Sequence, residues 1–266
     1  MMRIWFFSLI CIAALEASPI SSQLLDFQGE HGTIDAPQAK EGMSGFVVRH
    51  FDATHSSIIA NARVEEFNPS THRATLSFSQ YDGVKQNTLP SGKWTPKISD
   101  EVVIAYDYNR GLVIAPNDDA YTKIAKSLPS IEWIHPDLYA TYLSYEGHPT
   151  PLVKDFHNFC TSNSIGILTI QSSDTLFTLD CKNFALLEIA SSTTENNATM
   201  TPFFTRVATI RGAWWGEGSS KLKSYEPYYL EQIALNNPKN KELYELFKGK
   251  FGEQSALLHH FDLKEH

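Results

Sequence analysis

The chain holds 266 residues, 42% of them hydrophobic, and carries a formal net charge of -8 from 22 basic and 30 acidic side chains. That balance belongs to a folded globular protein with one substantial core or two small ones, which excludes a disordered chain. An acidic surface repels phosphate backbones, so nucleic acid is excluded as a partner, and it disfavours anchoring on anionic lipid headgroups.

Met1-Met2-Arg3, an apolar run from Ile4 to Leu15 and the short Glu16-Ala17-Ser18-Pro19 make the three parts of a secretory signal, with cleavage expected after Ala17. The run is shorter than the roughly 20 residues of a spanning helix, and no later segment is apolar enough to cross a bilayer. The mature chain is therefore expected in the periplasm or at the outer-membrane surface, without a transmembrane segment. Cys11 follows Ile10, where a lipoprotein needs a small residue, so lipidation is not read. Cleavage leaves Cys160 and Cys181 in a compartment where thiols oxidise. A disulfide between them is the economical reading; two unrelated buried thiols are the alternative.

Residues 18–42, rich in Ser, Gly, Pro and charge, read as an extended lead-in, with order beginning near Gly45. From 43 to 116 the signals are strand-like: Phe46-Val47-Val48, Ser57 to Ala62, the alternation of Ala74, Leu76 and Phe78 with Thr75, Ser77 and Ser79, then Val102 to Ile104 and Leu112 to Ile114. Turn chemistry at Asn68-Pro69-Ser70, Asp82-Gly83 and Asn109-Arg110-Gly111 separates them, which predicts a small antiparallel barrel or sandwich. From 117 to 212 the pattern is mixed. Asn117 caps a helix whose first turn holds Asp118 and Asp119, a placement that explains this acid pair better than a catalytic dyad does. A short apolar piece, Ile131 to Ile134, precedes a second helix from Pro136 or Asp137 and a third from about Thr150 to Phe159. Strands are predicted at Ile165–Ile170, Thr175–Cys181, Ala185–Ile189 and Phe203–Val207. A helical tail fills 213–266, with Tyr225, Tyr229 and Ile233 on one face, Leu243, Leu246 and Phe247 on another, and Gly249 as the closing cap. The fold class is thus α+β, with a barrel- or sandwich-like first half, a mixed second half and a helical tail.

There is no glycine-rich phosphate loop, dinucleotide fingerprint, Gly-x-Ser-x-Gly elbow or His-Glu-x-x-His, so no residue supports an enzymatic reading and no cofactor is implied. His259 and His260, adjacent in sequence, read as a solvated tail rather than a metal site. Trp214 and Trp215 lie among glycines; exposed rings would anchor a partner or stack on sugars, but large aromatics are mostly buried, so one or both are expected to plug the core beneath a loop. Asn197-Ala198-Thr199, with Glu195 two residues ahead, is a candidate glycosylation site of the extended bacterial type.

Four blocks in order, Gly45-Phe46-Val47-Val48, Leu112 to Asp118 with Tyr121, the Cys160–Cys181 stretch holding Ser164-Ile165-Gly166 and Thr175-Leu176, and Thr201 to Val207, resemble the amino-terminal domain of the plasminogen-binding proteins of Helicobacter and related bacteria. The resemblance covers roughly 42–210, and it marks 43–212 as the family-like domain between the signal peptide (1–17), the lead-in and the tail. It implies a non-catalytic surface or envelope protein whose partner is host plasminogen, whose kringle domains grip a lysine ammonium with a nearby carboxylate. The family's long Lys/Glu-rich extension ends in lysine, whereas this sequence stops at Lys264-Glu265-His266. The candidates left for such a contact are Lys239, Lys241, Lys248 and Lys250, interleaved with Glu242 and Glu245; a solvated helix face with pairing charges explains them as well. The alternative function is a periplasmic assembly module whose partners are envelope proteins.

Overall fold

The computed structural model describes residues 18–81, 83, 94–192 and 198–263; the expected signal peptide and the acceptor Asn197 with Glu195 lie outside that set. Within it the chain is α+β: a curled antiparallel sheet packs against a mixed sheet whose other face is covered by helices.

The first sheet comprises β1 Ile20–Gln23, β2 Asp26–Gln28, β3 His31–Asp35, β4 Ser44–His50, β5 Ser56–Asn68, β6 Arg73–Gln80 and β7 Glu101–Ile104, in the order β1-β7-β4-β5-β6-β3-β2. It curls until its two ends meet. The link between β1 and β2 bonds both ways, Leu24 N to Asp100 O beside β7 and Leu25 N to Thr33 O on β3, each at 2.9 Å. At Gly45 β4 lies close against β7: a Cβ there would sit 2.1 Å from the Val103 carbonyl oxygen. The lead-in expected over 18–42 is instead part of this sheet, because Leu24, Ile34, Ala36 and Ala39 are buried in its core. Strands of three to five residues with one face wet are too short for alternation to register in a polar sequence.

The second sheet comprises β8 Arg110–Ile114, β9 Glu132–Ile134, β10 Ile167–Ser172, β11 Thr175–Asp180 and β12 Leu186–Ser191, in the order β12-β11-β10-β8-β9. Helix α1, Asp118–Ser127, connects β8 to β9 in parallel on one side; α2, Pro136–Glu146, and α3, Val153–Asn163, lead to β10 on the other. The strand Leu112–Ile114, grouped by its position with the first half, is the centre of this sheet. Its unbroken apolar run suits a parallel strand covered on both faces. Asn117 caps α1 by accepting from Ala120 N at 2.9 Å. Helix α3 begins at Val153, later than expected, because Pro149-Thr150-Pro151 holds the preceding backbone extended.

Leu112, Ile114, Leu168, Ile170, Phe177 and Leu179 form a core with the inner faces of α2 and α3. Helices α4, Tyr225–Asn236, and α5, Lys241–Phe251, complete that core through Tyr229, Ile233, Leu243 and Phe247, so the tail is built into the body. Helix α5 runs past Gly249 and closes at Gly252, whose φ of 81° suits glycine. The short 3-10 helix Ala256–His260 also packs here, against the expectation of a solvated tail; Leu257, Leu258 and Phe261 are drawn onto apolar surface. The strand expected at Phe203–Val207 does not form. Phe203 is buried and the backbone of the following residues is held by side chains and by Ala115, just after β8, instead of a ladder.

The two sheets meet at Asp180, whose carboxylate is fully buried. Its Oδ2 accepts from Ser44 N (2.9 Å), Ser44 Oγ (2.5 Å) and the Tyr108 hydroxyl (2.9 Å), and its Oδ1 from Lys182 N and Asn183 N (2.9 and 3.1 Å). One oxygen thus shapes the turn after β11 while the other holds β4. Burial, then the charge of Asp180, pushes the Tyr108 phenol well above its ordinary value. The next residue, Cys181, is disulfide-bonded to Cys160 of α3, with the Cα atoms 5.9 Å apart and both residues buried.

Two stability outcomes follow. Asp180→Ala orphans five donors and should cost at least about 3 kcal/mol, whereas Tyr108→Phe removes one of several and should cost about 1 kcal/mol. Denaturant midpoints at unchanged slope measure both; equal losses would refute the central role given to Asp180. Replacing Cys160 and Cys181 together by Ser opens a link spanning 21 residues and should lower stability by about 3 kcal/mol, read as a matching drop on reduction of the native protein.

Candidate binding surfaces

In an open sheet with parallel strands, ligands favour the crevice at the carboxyl ends where the strand order reverses. Here that point lies beyond β8, between β9 and β10, and the chain fills it with its own residues. Met200 N bonds to Pro116 O (2.7 Å), Phe204 N to Ala115 O (2.8 Å), and the Tyr225 hydroxyl to the carbonyls of Ile114 (3.0 Å) and Gln171 (2.8 Å). The Phe204 ring packs with Tyr121 and His135. Asp137, in the first turn of α2, fastens the segment by accepting from Thr205 Oγ1 (2.8 Å), Arg206 N (2.8 Å) and Arg206 Nε (2.6 Å).

A second concavity, of about 490 Å³, opens between the first sheet and α3. Phe46 and Tyr106 pack edge to face in its wall at 5.1 Å. Its charges are already engaged: Lys182 with Asp107, and Arg63 and Ser77 with Glu65. His148 and Asp155 look like an acid–base pair, with Nδ1 at 2.9 Å from the carboxylate. Asp155, however, also accepts from Leu152 N and so starts α3, a structural task. Sequence reading passed over both Asp155 and Asp180; the turn-forming run Asp180-Cys181-Lys182-Asn183 was the available sign of the second.

The four candidate lysines do not form one cluster. Lys250 reaches back from α5 to Asp174 and Thr175 at the β10–β11 turn, beside Glu226, which accepts from Ser172 and Ser173. Lys248 pairs with Glu253 at 3.0 Å, and the hydrogen bond and charge of that partner raise its pKa. Lys239 and Lys241 are exposed at the start of α5, with no ion pair among the described residues. Lys241, Glu245 and Lys248 share one face of the helix, Lys241 and Glu245 about 6 Å apart along its axis.

Trp214 and Trp215 overturn the expectation of core plugs: they are 101% and 87% exposed. The loop that carries them is bonded on both flanks, Arg211 N to Ser144 Oγ and Ala213 N to Gly147 O before the pair, Thr150 N to Gly218 O and Thr150 Oγ1 to Ser220 O after it. Those bonds hold the backbone against the body, and Gly216 and Gly218, with φ of 106° and 81°, take the left-handed turns that follow the pair. Among the described residues no helix is long and apolar enough to cross a membrane, and no three His, Cys, Asp or Glu side chains gather as metal ligands.

Comparison with known proteins adds to this geometry. The profile of the family described as "Plasminogen-binding protein pgbA N-terminal" matches residues 19–233, reaching further at both ends than the roughly 42–210 seen in the sequence motifs. The plasminogen-binding protein PgbA of Helicobacter pylori strain J99 is 30% identical over 241 residues, 90% of this chain and 52% of that protein. PgbA of strain 26695 is 29% identical over the same coverage. The chain therefore spans about half the length of these curated relatives. No solved structure matches.

The Asp137 tether predicts an acid-sensitive segment. Burial alone would raise the Asp137 pKa, but hydrogen bonds from Arg206 N, Thr205 and the Arg206 guanidinium outweigh it and hold the carboxyl below its ordinary value. A depressed folded value means that the tether's stabilisation is complete above the unfolded value, near 3.9, and lost as pH falls through the lower folded value. The protection factor of the Arg206 amide should fall below about pH 4, and Asp137→Asn should remove that pH dependence. A fall in protection that survives in the variant would contradict the assignment.

Proposed function

Because this chain belongs to the family of PgbA amino-terminal domains, we propose that it is an exported envelope or surface protein that binds host plasminogen by protein contact and performs no catalysis. The match over 19–233, to relatives named for plasminogen binding, carries this reading. A binding role also suits a molecule whose switch-point crevice is filled by its own Phe204 and whose buried carboxylates have structural partners.

For the contact itself, Lys239 and Lys241 are the favoured groups of the four. They are exposed and have no ion pair among the described residues, and Glu245 offers a carboxylate one turn from Lys241. Lys250 is engaged with Asp174 and Lys248 with Glu253, so presenting either would first require breaking an ion pair. All four lie beyond residue 233, so they are supported by chemistry and position rather than by the family match.

Immobilised plasminogen kringles should retain the protein and release it to a soluble lysine analogue. Lys239→Ala with Lys241→Ala should weaken retention at least tenfold, while Lys250→Ala should chiefly lower thermal stability. Retention indifferent to the analogue would eliminate the lysine mechanism. No retention at all would leave a structural role in an envelope complex, which crosslinking in the native host would reveal through envelope partners.

A further inference from the structure

The most exposed apolar feature among the described residues is the pair Trp214 and Trp215, and neither the fold nor plasminogen capture uses it. A ring so exposed forfeits most of the stabilisation its burial would give, and monomers rarely hold two large aromatics side by side in water without a partner. Tyr145, 88% exposed, stands at the end of α2 beside Gly147, to which the tryptophan loop is hydrogen-bonded. Since the loop is bonded on both flanks, the rings are presented by a fixed scaffold.

The charges around the pair identify what it meets. Between Arg211 and Lys223 stand three cations, Arg211, Lys221 and Lys223, exposed and without an ion pair among the described residues, against one acid, Glu217. On the neighbouring helices Lys154 and Glu146 offset each other, while Asp155 is held by His148 and Glu231 lies 3.8 Å from His260. This cationic segment stands out on a chain of net charge -8. Tryptophan prefers the headgroup layer of a bilayer, where its ring is partly buried and its N–H stays wet, and nearby Lys and Arg add attraction to anionic headgroups. A convex display of rings suits a soft planar surface better than a preformed protein pocket, which would receive a single anchor.

We infer that the loop 211–223 seats Trp214 and Trp215 in the headgroup layer of an anionic phospholipid bilayer, with Arg211, Lys221 and Lys223 on the lipid phosphates. The acidic remainder of the surface then faces away from the membrane, and binding weakens with salt because the attraction is screened.

The protein, purified in the form its host produces, is sedimented with large vesicles of phosphatidylcholine alone or with about a third phosphatidylglycerol, a charge density at which cationic clusters bind. The expected result is retention by the anionic vesicles with a blue shift of tryptophan emission. Trp214→Ser with Trp215→Ser should lower the partition at least tenfold and abolish the shift. Lys221→Glu with Lys223→Glu should lower it several-fold on anionic vesicles only. All four positions are exposed, so an unchanged melting temperature verifies the fold of each variant. The inference is overturned if the double tryptophan variant binds as well as the parent, if neither vesicle retains the protein, or if the pair instead mediates a dimer that dissociates on its substitution.

Discussion

A carboxylate taken out of water must be repaid by hydrogen bonds nearly one for one, and Asp180 is placed where that demand spans the seam between two sheets. Only one arrangement of β4, Tyr108 and the turn after β11 supplies its donors together. The neighbouring disulfide fixes the same turn to α3, so strand, turn and helix are held at one point. The cleft between the first sheet and α3, with Ser44, Lys182 and Asn183 in its wall, takes its shape from this junction.

The sequence made the fold class and the central elements legible because their signals are local. Asn117 with its two acids marks the start of α1, Pro136 opens α2, and the β10–β11 hairpin turns at Ser173 and Asp174. The strands over 20–35 were hidden because their partners lie far along the chain, β7 for the first and β6 for the third. Phe203 to Val207 carries strand-like residues, yet Asp137 offers that backbone a better acceptor than a ladder would. The tryptophans were misjudged for a related reason: composition states that large rings prefer burial, but not whether the backbone leaves room beneath them.

A division of labour results. The buried carboxylates Asp100, Asp107, Asp155 and Asp180 each serve a structural partner: Arg49, Lys182, His148 with the α3 terminus, and the sheet junction. The crevice where a doubly connected sheet would hold a small molecule is plugged from within. The contacts proposed for recognition lie on the outside, with ammonium groups at the start of α5 and two indole rings beside the end of α2. These surfaces differ in chemistry, so two kinds of contact are open to the molecule.

The pairing of β1 with β7 also constrains the order of assembly. Ile20 faces Ile104, so the first strand of the folded body has its ladder partner only in β7, the last strand of this sheet along the chain. Closing so long a loop is slow compared with forming the hairpins inside it. Until β1 docks, the edge of β7 is an open row of backbone donors and acceptors that any extended chain could pair with, so this edge is a point of exposure to mispairing while the protein matures.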